Sequence, residues 1–88
     1  MKLKKDFVLS PLGDESLLIA TGKEAKRVHG MLRLNETAEV IVRKFQKETS
    51  VSEVVDSLLA EYEIDRATAQ QYVEDMLAKL RDLGAIQE

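Results

Sequence analysis

Between Val28 and Ala38 the apolar period of this chain changes from two to that of a helix, with no linker between. Val28, Gly30, Leu32 and Leu34 fall on one face of a strand, and His29, Met31 and Arg33 fall on the other. Asn35 then stands where a helix N-cap belongs, and Glu36 follows in the first turn to complement the helix dipole. Everything before this junction reads as strand and everything after it as helix. A small sheet whose last strand runs straight into a helix bundle leaves a strand edge open. Such an edge is a binding site for an extended peptide.

The size fits one domain over residues 1–88 with a thin core. At 44% hydrophobic and 33% charged residues the chain is globular rather than disordered. It has no Cys and a single His, which excludes disulfides, thiolate metal sites and His clusters. The apolar run after the basic start is broken by Ser10, Pro11, Gly13 and Asp14, so no secretory pattern forms. No window approaches the ~18 apolar residues that span a bilayer. A cytoplasmic location is expected. Residues 1–34 hold seven Lys and Arg against four Asp and Glu, whereas residues 35–88 hold six against twelve. A modestly basic sheet on an acidic helical half lacks the strongly basic face of a nucleic-acid binder.

Phe7–Leu12 reads as a first strand, confined by Pro11 to an edge or to its own end. Gly13 and Asp14 supply turn chemistry, and Leu17–Ala20 reads as a second strand that forms a hairpin with the first. The first helix is expected from about Glu36 to Gln46, with Ala38, Ile41, Val42 and Phe45 as its buried stripe. Ser50-x-x-Glu53 is a capping box, followed by Val51, Val54, Val55, Leu58, Leu59 and Tyr62 at helical spacing. Asp65 is the expected N-cap of a third helix with the stripe Ala69, Tyr72, Val73, Met76, Leu77, Leu80 and Leu83. Gly84 stops that helix, and Ile86 is placed to pack back. The fold class is α+β and winged-helix-like: a three-stranded antiparallel sheet followed by three helices.

No phosphate loop, nucleophile elbow or metal-ligand spacing is present. His29, on the outer face of the third strand, reads as an exposed strand residue rather than a switch or catalyst. Glu53, Asp56, Glu61 and Glu63 read as a solvated helix face. No enzyme activity and no cofactor are expected.

The run Gly30-Met-Leu-Arg-Leu-Asn35-Glu-Thr-Ala38, followed by a helix, an acidic amphipathic helix and a Leu-rich helix ending Leu83-Gly84, resembles the PqqD family. These are the small proteins of pyrroloquinoline quinone biosynthesis and their relatives, which often carry Asn at the position of His29 and an aromatic near Val42. The resemblance implies a recognition element for ribosomally made, modified peptides. Such a domain takes the leader segment of a precursor as an added strand, between the third strand and the third helix. It then presents the rest of the peptide to a modifying enzyme, often a radical S-adenosylmethionine protein. The expected peptide contacts are Val28, His29, Gly30, Met31, Leu32, Arg33 and Leu34 on the strand, and Tyr72, Met76, Lys79, Leu80 and Leu83 on the helix. Arg33 and Lys79 would steer carboxylates of the leader, each worth about 0–1 kcal/mol if exposed.

Two other readings fit the order of elements. A winged-helix regulator would read DNA with the third helix, but that helix offers Arg66, Gln70, Gln71, Lys79 and Arg81 against Asp65, Glu74, Asp75 and Asp82, a balance that is neutral to negative. A dimerisation module would pair the open strand edge with its own copy, giving a homodimer rather than a monomer.

Overall fold

The hairpin expected at Gly13 organises the sheet. The computed structural model describes residues 1–23, 25 and 31–88. Among them the elements run β1 (Lys2–Leu3), β2 (Phe7–Leu12), β3 (Glu15–Ala20), β4 (Met31–Leu34), α1 (Glu36–Lys44), α2 (Val51–Glu61), α3 (Arg66–Asp82) and β5 (Ile86–Gln87). Leu12 and Glu15 face each other across a two-residue turn, and Gly13 takes φ +62° while Asp14 does not go positive. A positive φ at the first turn residue alone is the type II′ pattern, which suits the right-handed twist of a hairpin. The sheet has the order β2-β3-β4, antiparallel throughout. Its second strand starts at Glu15, two residues earlier than the apolar run suggests, because the tight turn extends the ladder to its last pair.

α1, α2 and α3 each start at the cap that the sequence marks. Asn35 accepts the Ala38 N–H at 2.9 Å, Ser50 the Glu53 N–H at 3.2 Å, and Asp65 the Thr68 N–H at 2.7 Å. The Glu53 carboxylate accepts the Thr49 hydroxyl at 3.2 Å. α1 is a little shorter than expected and ends at Lys44, with Phe45 turned into the core as its C-cap. α3 closes in a Schellman motif: Gly84 at φ +74° lets its N–H reach the Arg81 carbonyl, and the Ala85 N–H reaches that of Leu80.

α1 lies against β3 and β4, and α3 packs on both α1 and α2. The core between them holds Phe7, Leu18, Leu34, Ile41, Val42, Phe45, Val54, Leu58, Val73, Leu77 and Leu80. Ser16 is buried on the inner sheet face, and its hydroxyl donates to Glu39 at 2.6 Å. Arg43 donates to the same carboxylate at 2.9 Å.

A second, two-stranded sheet was not expected. Lys2 and Leu3 pair with Gln87 and Ile86, and Leu3 is buried. The Leu3 N–H also donates to the Phe45 carbonyl and the Lys4 N–H to the Ala85 carbonyl. Two residues on each side are too few to show a period, so this clasp leaves no pattern in the sequence.

Candidate functional site

Which strand edge is free follows from the alternation of an antiparallel ladder. Leu12 and Glu15 close a two-residue turn, and the Thr21 N–H donates to the Asp6 carbonyl at 2.7 Å. Both are hydrogen-bonded pairs, so Glu15, Leu17 and Ile19 direct their backbone groups to β2, while Ser16 and Leu18 direct theirs to β4. Their partners there are Leu34 and Leu32. The N–H and C=O of Met31 and Arg33 therefore point away from β3, along an outer edge that no strand covers among the described residues.

The opposite edge of the sheet is blunted. On β2 the outward positions are Phe7, Leu9 and Pro11. The Phe7 N–H is already given to the Lys4 carbonyl at 3.1 Å, and Pro11 has none. One outward donor, that of Leu9, is left there, so β4 is the edge suited to receive a strand.

A cleft of about 300 Å³ lies at the C-terminal end of β4. Asn35, Thr37, Ala38 and Ile41 line it from the start of α1, and Tyr72, Asp75, Met76 and Lys79 line it from α3. Spacing of three and four residues puts the α3 group on one helix face. Tyr72 is 47% exposed and Met76 nearly buried, so the cleft has an aromatic lip and an apolar wall. Asp75 accepts a hydrogen bond from Gln71 at 2.8 Å, and Lys79 has no ion-pair partner among the described residues. A larger hollow, about 640 Å³, lies between α1 and α2 among Lys44, Lys47, Glu53 and Glu61.

Tyr72, Met76 and Lys79 line one cleft, but its facing wall is the start of α1 and not the strand that the sequence pointed to. Leu32 and Leu83 are half-buried and pack on the core. Two expected contacts need correction: the side chains of Leu34 and Leu80 are fully buried and belong to the core, not to a groove wall. Leu34 sits on the inner sheet face and Leu80 on the buried side of α3, where nothing beyond the core can touch them. Met31 (62% exposed) and Arg33 lie on the outer sheet face, and Arg33 pairs with Glu15 at 3.2 Å. Its charge is therefore partly answered within the chain. Val28, His29 and Gly30 lie outside the described residues. Sequence reading missed Asn35, Thr37, Ala38, Ile41 and Asp75 as cleft residues. Asn35 had another role as cap and Ala38 and Ile41 as core stripe, but Asp75 shares the helical face of Tyr72 and Met76, a spacing that was available.

Among the described residues no group of His, Cys, Asp or Glu is placed to hold a metal ion, and no helix is long and apolar enough to cross a membrane.

No curated protein matches this chain. Among solved structures it resembles TbiB1 in complex with the TbiA(beta) leader peptide, with a TM-score of 0.77 and 23% identity over 99% of this chain and 95% of that one. It also resembles a lasso peptide synthetase B1 complexed with the leader peptide, with a TM-score of 0.75 and 22% identity over 99% and 96% of the two chains. At these identities the likeness shows a shared fold. The model of the family described as coenzyme PQQ synthesis protein D matches residues 14–86, from the β2–β3 turn to β5. The chain belongs to the PqqD family.

Proposed function

We propose that this protein binds the leader segment of a ribosomally made precursor peptide as a fourth strand on β4 and delivers it to a modifying enzyme. It acts as a binding partner and not as a catalyst. The observation that carries this reading is the free backbone edge at Met31 and Arg33, on the strand that runs into Asn35 at the cleft of Tyr72, Met76 and Lys79. Main-chain bonds to β4 supply affinity with little demand on sequence, and the cleft supplies selection by accepting one side chain of the guest. Membership of the family and a fold shared with two leader-bound proteins support it. The enzyme served is, by family resemblance, a radical S-adenosylmethionine protein. The setting is the cytoplasm, where ribosomes release precursor peptides.

Calorimetric titration with the leader of a precursor encoded beside this chain tests the reading. A saturable one-to-one complex is expected, weakened about tenfold by Tyr72→Ala. No binding to that leader would overturn it.

A further inference from the structure

The two walls of the cleft, Asn35 to Ile41 on α1 and Tyr72 to Lys79 on α3, belong to helices that meet through packed side chains. Among the described residues no hydrogen bond or ion pair runs directly from one helix to the other. β1 supplies the tie. Leu3 and Lys4 are consecutive, and successive strand residues send their amides to opposite sides. The Leu3 N–H donates to the Phe45 carbonyl at 2.7 Å and the Lys4 N–H to the Ala85 carbonyl at 2.8 Å. Phe45 is the C-cap of α1, four residues past Ile41, and Ala85 is six residues past Lys79. Phe45 and Ala85 are fully buried, so water cannot replace either bond. The Leu3 side chain is sealed in the core opposite Ile86, and the Met1 carbonyl accepts the Thr49 N–H just ahead of α2.

Resting on the reading that the cleft takes a side chain of a guest on β4, we propose that β1 is a strap that sets the width of the cleft. Leu3 and Lys4 are its positioning residues and do not touch the peptide. The cleft is the open space between α1 and α3, so a change in their separation alters it first. With the strap closed, Ile41 and Met76 are held ready to enclose a side chain. With it open, the guest keeps its main-chain bonds to β4 and loses the cleft. The strap therefore governs selection among leaders more than their capture. By linkage, a leader that fills the cleft holds the strap closed by the same factor.

The experiment compares two peptides, the leader encoded beside this chain and the same leader with its cleft-filling residue, found by alanine scanning, replaced by alanine. The wild-type protein is expected to prefer the first about tenfold in calorimetry. Lys4→Pro deletes the amide given to Ala85, and it follows an extended residue, which accommodates proline. It is expected to lower the preference to about twofold while both peptides still bind; Lys4→Ala, which keeps the amide, is expected to keep the preference. Ile86→Ala, half-buried across the ladder from Leu3, is a milder break and is expected to lower it to about fivefold. A strap that only stabilises the fold would weaken both peptides equally, and a preference that stays about tenfold in these variants overturns the proposal with leader capture intact. A scan that finds no cleft-filling residue overturns it too. The wild-type protein gives a second measurement. The Leu3 and Lys4 amides, remote in the ladder from β4, are expected to exchange about tenfold more slowly with saturating leader than without it, and less so with the alanine peptide. Exchange there that ignores the leader contradicts the proposal. Failure of the wild-type protein to bind either peptide removes the underlying reading, and this proposal with it.

Discussion

Glu39 is one residue through which pH acts on this fold. The Ser16 hydroxyl, then the Arg43 guanidinium, hold its carboxyl below the ordinary value of 4.5. A depressed carboxyl adds stability that is present above its unfolded value and lost as pH falls through the folded one. Acid unfolding followed by circular dichroism is therefore expected to lose a contribution below about pH 4.5 that Glu39→Gln lacks. A variant with the same acid profile as the wild type would show the network to be neutral. Burial separates the groove residues just as sharply. Met76→Asp would place a carboxylate in the core and lower the melting temperature, so it cannot report on binding alone. Tyr72→Ala removes an exposed ring and is expected to leave the melting temperature within about 2 °C. Leu80→Ala, fully buried, is expected to cost about 2–5 kcal/mol in denaturant unfolding.

At the scale of the element, β4 carries two kinds of backbone position. Arg33→Pro deletes an outward N–H and is tolerable on an edge strand, whereas Leu34→Pro deletes one that β3 uses. The first is expected to fold and to lose leader affinity about tenfold or more, with Arg33→Ala keeping most of it; the second is expected to unfold. An Arg33→Pro variant that binds leader normally would place the guest elsewhere. The helices were legible because their signals are local: Asn35, Ser50, Asp65 and Gly84 each act within a turn of themselves. The β2–β3 hairpin was legible for the same reason. The β1–β5 clasp was not, since it joins Leu3 to Ile86 across nearly the whole chain. The groove was legible as a stripe but not in depth. Periodicity puts Tyr72 and Leu80 on one apolar face, and only the packing of α3 on α1 and α2 decides that one is open and the other sealed.

Over the whole molecule the two edges of the sheet are treated oppositely. β2 is blunted by Pro11 and by the Lys4 carbonyl, while β4 is left with the outward groups of Met31 and Arg33. The basic balance belongs to residues 1–34, the segment that supplies the three-stranded sheet, and the acidic balance to residues 35–88, which supply α1, α2 and α3. Leader affinity is accordingly expected to fall as salt rises, and a titration flat between about 50 and 500 mM salt would remove steering from the mechanism. Strand addition itself is read most directly by amide hydrogen exchange, followed by NMR with and without leader peptide. Leu32 and Leu34 are expected to be protected in both states, and Met31 and Arg33 to exchange fast when free and slowly when bound. Leader binding that leaves the Met31 and Arg33 amides as fast as before would contradict the account.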